Sequence, residues 1–275
     1  MSNQSRGYRN GNTLAIRSLS SLVGLPLVLL VVWLGPLWLA SMTAVAAILG
    51  ILELYRMAIS RDIKPPLVPG IIWTAALVIS GLLPLAYTAL VVLIGALGTL
   101  IWLIPNLTSG KVLHRGGLAL VGPLYLGYSL AHVVGLRNTT QGWEWVFHVL
   151  ISTFATDTAA YLVGRSVGKR LMAPRVSPNK TWEGAAGGLI GGVVASMCMA
   201  TILDLPVPVW KSAILGVSIS ILAQLGDLTE SLIKRVYRAK NAGSLIPGHG
   251  GILDRLDSLI FTVVGLYYLR IWSIS

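Results

Sequence analysis

This chain of 275 residues has one cysteine, four histidines and ten acidic residues, and each scarcity removes a class of explanation. With Cys198 alone, no disulfide can form within the chain and no thiolate metal centre can be built. Cys198 lies inside an apolar run and is expected to serve packing. Four histidines leave little material for an imidazole site. His132 and His148 fall deep in apolar runs, where a hydrogen bond to a neighbouring helix is the ordinary role, and His114 flanks a basic loop and reads as surface. Charged residues are only 11% of the chain, against 55% hydrophobic residues and a mean hydropathy of +0.76. That balance excludes an ordinary soluble globule and indicates a polytopic membrane protein. The net charge of +11 would suggest nucleic acid in a soluble protein. Here topology and anionic lipids or phosphates account for the Lys and Arg residues, and no nucleic-acid partner is expected.

What the chain has in abundance is apolar runs of spanning length. They extend over Leu14 to Leu34, Leu37 to Ala58, Gly70 to Leu85, Tyr87 to Ile104, Gly117 to Leu136, Trp143 to Val163, Trp182 to Leu203, Val209 to Leu225, and Ser258 to Ile274. The first is too long for the core of a signal peptide and reads as an anchor, preceded by a polar tail over residues 1–13. The expected fold is an all-α polytopic integral membrane protein with about nine transmembrane helices and a cytoplasmic N-terminus, in one domain spanning 1–275. That orientation puts every Lys and Arg on the cytoplasmic side except Arg137, Lys211 and Arg270. In the seventh run, Gly184, Gly188 and Gly192 form one row at four-residue spacing and Gly187 and Gly191 a second. Such rows let helix backbones approach closely, within one chain or across a homodimer.

Two polar segments, 164–181 and 226–257, interrupt the apolar pattern, and both are expected on the cytoplasmic side. The second holds four acidic residues, five Lys or Arg and one His. Asp227, Ser231, Lys234 and Arg238 are spaced to share one face of a helix running out of the preceding apolar run. Gly243, Gly248, Gly250 and Gly251 follow, residues that free backbone N–H groups to form anion-holding nests. Asp254 and Asp257 then open the last run. A carboxylate at one helix end facing a pair at the next helix start suits a divalent cation, which prefers oxygen ligands. Asp157 lies inside an apolar run, where a carboxylate usually faces a polar cavity. Ser177, Asn179, Lys180 and Thr181 precede a helix start at Trp182, a ready phosphate site, with Glu183 beside it. Glu53 and Arg56 read as interfacial residues that snorkel or pair.

The pattern Ser231, Lys234, Arg235, Lys240, Gly243, Pro247, His249, Gly250, Gly251, Asp254, Arg255, Asp257 resembles that of the phosphatidate cytidylyltransferase family; Asp157 with Tyr161 and the run Ser177 to Gly184 extend the likeness, and Glu53 to Arg56 resembles a recurrent feature of it. One position departs: Asn241 stands where the family usually has Asp. The resemblance implies transfer of a cytidylyl group from CTP to phosphatidate at the cytoplasmic membrane, giving CDP-diacylglycerol and pyrophosphate. Mg2+ is the expected cofactor, with Mn2+ as an alternative, and the crowded carboxylates leave room for a second cation such as K+, whose identity the sequence does not fix. Asp227, Asp254 and Asp257 are then the metal ligands, and Lys180, Lys234, Arg235 and Arg255 the phosphate clamps. Ser177, Ser231 and His249 supply hydrogen bonds, and Asp157, Thr181, Glu183, Gly250 and Gly251 complete the substrate site. Two other readings stand beside it: a CTP-dependent transferase acting on an isoprenoid-ether lipid or polyprenol, and an ion or solute transporter.

Overall fold

The computed structural model describes residues 24, 26–106, 110–243 and 250–274. The polar tail, most of the first apolar run and His249 lie outside the described residues. A backbone in hydrocarbon must satisfy its own polar groups, and a helix does so within one segment. The apolar runs accordingly become helices. Residues 26–34 are helical and lead into α1 (Pro36–Ile59), α2 (Leu67–Ser80) and α3 (Leu85–Leu103). Then come α4 (Val112–Pro123), a π-helical turn (Leu124–Tyr128) and α5 (Ser129–Arg137), which run on as one rod. The chain closes with α6 (Gly142–Val167), a hairpin of β1 (Leu171–Ala173) and β2 (Ser177–Thr181), α7 (Trp182–Ile202), α8 (Val209–Val236) and α9 (Leu253–Ile274). Among the described residues, six helices are long and apolar enough to cross a membrane. α2, at 14 residues, is shorter than the roughly 20 a full crossing takes.

The helix ends sort into two groups by their hydrogen bonds. At one end, Arg137 donates to the carbonyls of Val32 and Trp33, Arg270 to Thr140, Lys211 to Trp272 and Ser273, and Asn138 to Leu82. At the other, Arg61 donates to the Tyr237 carbonyl, Lys111 pairs with Asp62 at 3.0 Å, and Lys180 pairs with Asp227 at 2.8 Å. The three basic residues that break the charge asymmetry therefore hold backbone carbonyls, several of them at helix C-termini where the dipole favours a cation.

α6 packs most closely on α7, and the glycine rows are the reason. A Cβ at Gly184 or Gly188 would strike Ala160, one at Gly187 would strike Val163, and one at Gly191 would strike Ala159. Gly192 abuts Thr156 and Ser220. Both rows are thus occupied inside the protomer, so a homodimer would need another face. The two intramembrane histidines bond to neighbouring helices as expected, His148 to Ser196 of α7 at 3.0 Å and His132 to Tyr268 of α9 at 3.3 Å. Cys198 differs from expectation: it is exposed on the outer face of α7.

Two local departures shape the site. Residues 171–181 form an antiparallel hairpin, with Leu171 opposite Thr181 and Ala173 opposite Ser177, where only a loop was expected. And α8 stops at Val236, so Arg238 does not continue the helical face. Arg238 takes a left-handed conformation, φ 53°, while Ala239 N–H bonds the Lys234 carbonyl and Arg238 N–H that of Arg235. These paired bonds make a Schellman ending, with Arg in the position glycine usually fills.

Candidate active site

A cavity of about 590 Å³ opens where α6, the hairpin, α7, α8 and the head of α9 converge. α6 contributes Asp157, Tyr161 and Arg165, and β2 contributes Asn179, Lys180 and Thr181. α8 brings Gln224 and Asp227, and α9 brings Asp254, Arg255, Asp257 and Ser258. The first turn of α7 is anchored by Thr181, whose hydroxyl accepts the Gly184 N–H at 3.1 Å, an N-cap that fixes where β2 ends and the helix begins.

The carboxylates fall into two sets. Asp227, Glu230 and Asp257 each offer an oxygen, all within 4.8 Å of one another. Glu230, which nothing in the sequence singles out, is fully buried and paired with Lys234 at 2.6 Å. Asp254, expected in this group, is directed elsewhere. It takes the Lys234 ammonium at 2.7 Å and the N–H groups of Gly251 and Ala242 at 2.9 and 3.2 Å. Burial alone would raise its pKa, but these partners outweigh it and hold the carboxyl below the usual range.

The expected phosphate clamps also divide. Lys180 faces the cavity with Asp227 as its ion-pair partner. Lys234 lies between Glu230 at 2.6 Å and Asp254 at 2.7 Å, so its charge is answered within the protein. Arg235 points away and donates to the Val176 carbonyl in the hairpin turn, holding the hairpin against α8. Arg255 lines the cavity.

Ser231 donates to Asp227 at 3.4 Å from a buried position. Ser177 sits in the hairpin ladder, outside the cavity wall, and Glu183 accepts the Lys169 and Arg170 N–H groups, bracing the loop that precedes the hairpin. Gly250 has φ +85°, a conformation that suits glycine, and it turns the chain into α9. Around Gly250 and Gly251, where the sequence leads one to expect an anion nest, the described N–H groups are taken by the chain's own carboxylates. Asp254 holds Ala242 and Gly251, and Glu53 holds Ile252 and Leu253. Asn241 is exposed and outside the cavity wall.

The family model described as Cytidylyltransferase family matches residues 15–272. The chain is 40% identical to the phosphatidate cytidylyltransferase of Bacillus subtilis (strain 168) over 154 residues, 56% of this chain and 57% of that protein. That match spans little more than half of the relative's length. The phosphatidate cytidylyltransferase of Brucella suis biovar 1 is 37% identical over 196 residues, 70% of each chain. That of Staphylococcus haemolyticus is 33% identical over 261 residues, 93% of this chain and 98% of the relative.

Proposed function

The chain belongs to the cytidylyltransferase family, and we propose that it transfers the cytidylyl group of CTP to phosphatidate, forming CDP-diacylglycerol and releasing pyrophosphate. The observation that carries this reading is the composition of the cavity: grouped carboxylates with Lys180, Arg165 and Arg255 beside them at one end of an apolar bundle, a setting that suits a lipid phosphate and a nucleotide together. A phosphatidate oxygen bonds to the α-phosphorus of CTP as the bond from that phosphorus to the bridging oxygen breaks, and the electron pair leaves on pyrophosphate. The lipid phosphate monoester, with a second pKa of about 6, is already largely dianionic at neutral pH and needs no strong general base. This suits a cavity whose described wall carries no histidine.

What the reaction does need is relief of repulsion between two polyanions. Lys180, Arg165 and Arg255 supply positive charge at the cavity wall. Lys234 keeps Glu230 and Asp254 in place. Asp227, Glu230 and Asp257 fit Mg2+, since the donor set is all carboxylate oxygen and its members lie within 4.8 Å of one another. When bound, that ion supplies neutralisation of phosphate charge; Mn2+ suits the same ligands. Asp157 adds negative charge at the cavity wall that a second cation, K+, would balance.

In the same reading the chain crosses the cytoplasmic membrane about nine times, with its N-terminus and the cavity on the cytoplasmic side. The two groups of helix ends described above support this alternation. The test is purified protein in detergent with phosphatidate and CTP labelled at the α-phosphate. Labelled CDP-diacylglycerol and pyrophosphate should form in equal amounts, and a chelator should stop both. Folded protein that releases no pyrophosphate from CTP in the presence of phosphatidate would refute the reading.

A further inference from the structure

Glu53 is on α1, a helix that contributes nothing to the cavity wall, yet it reaches the head of α9. It is 1% exposed and has no Lys or Arg at ion-pair distance among the described residues. A carboxylate so placed in a membrane bundle is costly unless its oxygens are satisfied. They are satisfied by backbone: Oε1 accepts the Ile252 N–H at 3.1 Å and Oε2 the Leu253 N–H at 2.9 Å. These N–H groups lie at the start of α9, where the first donors have no carbonyl of their own and the helix dipole favours negative charge. Glu53 thus caps α9 from another helix. Two glycines make room for it, because a Cβ on Gly243 or on Gly251 would collide with the Glu53 carboxylate. Leu253 is followed at once by Asp254, and Asp257 comes one turn later.

We propose that Glu53 is the positioning residue of this site, setting the start and rotation of α9 so that Asp257 joins Asp227 and Glu230 while Asp254 turns to Lys234. The interfacial role read from its position near the end of an apolar run does not account for two bonds across 199 and 200 residues. This inference rests on the reaction proposed above for its meaning, but its test is separable from that reaction.

Glu53→Ala and Glu53→Gln are purified in detergent, and two titrations with Mg2+ are run on each: turnover of CTP with phosphatidate, and thermal stabilisation without substrate. In Glu53→Ala the Mg2+ concentration for half-effect should rise at least fivefold in both titrations. kcat should fall at least tenfold, while KM for CTP at saturating Mg2+ stays within threefold. Glu53→Gln, which keeps one acceptor oxygen, should fall between. A residue that merely held the fold together would reduce the amount of active protein and leave the Mg2+ midpoints unmoved. That result, or wild-type behaviour of Glu53→Ala, overturns the proposal. If Glu53→Ala does not fold, Glu53→Gln decides by the same midpoints. Wild-type protein stabilised by Mg2+ but inactive with CTP would refute the reaction and leave the stabilisation midpoints to judge Glu53; wild-type protein indifferent to Mg2+ would refute both.

Discussion

Two lysines of similar appearance in sequence have different surroundings. Lys234 is held between Glu230 and Asp254, whereas Lys180 has one carboxylate partner and faces the cavity. Lys180→Ala should therefore lower kcat by roughly a hundredfold, the scale seen when a group stabilising transition-state charge is removed. Arg170→Ala, exposed and outside the cavity wall, should change turnover by less than about twofold by the same measure. Equal losses at the two positions, with insertion unchanged, would mean that this loop carries topology charge only. Among the carboxylates, Asp227→Asn, Glu230→Gln and Asp257→Asn should each raise the Mg2+ requirement. Asp254→Asn should instead also lower the unfolding temperature, because it disturbs an ion pair and two backbone bonds. Asn241→Asp should alter activity only modestly, as the side chain is exposed and away from the cavity. Asp227, Asp257, Lys180 and Asp157 were legible in sequence because charge is rare in this chain and stands out. Glu230 was not, since Glu followed four residues later by Lys reads as an ordinary solvent-facing helix pair. Here the pair is buried, and burial depends on partners that sequence spacing cannot display.

At the level of elements, long apolar runs announced themselves, because about 20 residues of hydrocarbon-compatible sequence admit few other structures. The hairpin did not. Its strands are three and five residues long, and SPNKT in β2 has no apolar alternation to reveal it. The end of α8 was also hidden, since Arg238 keeps the helical spacing while its backbone turns left-handed. A residue with a Cβ is disfavoured there, so Arg238→Gly should keep the fold and raise thermal stability slightly, by an amount on the order of 0.5 kcal/mol. Thr181→Ala removes the N-cap of α7 and should cost about 1 kcal/mol in thermal or denaturant unfolding. Gly188→Leu would force α6 and α7 apart at Ala160 and the Thr156 carbonyl, and the expected outcome is protein that fails to elute as a single folded species in detergent.

For the molecule as a whole, the proposed orientation can be read with a thiol reagent that does not cross membranes, helped by the scarcity of cysteine. In a Cys198→Ala background, Ser60→Cys should react only when the cytoplasmic face is accessible, and Thr140→Cys only from the opposite face. Reaction of both from one side would break the alternation of helix ends. The bond between Glu53 and the head of α9 also has a consequence in time. A ribosome adding about 5–20 residues per second takes roughly 10–40 seconds to travel the 200 residues from one partner to the other. Throughout that interval α1 is already made, while the N–H groups that satisfy Glu53 in the finished fold are not. A polypeptide broken off before residue 252 therefore carries Glu53 without the two donors that satisfy it in the finished fold.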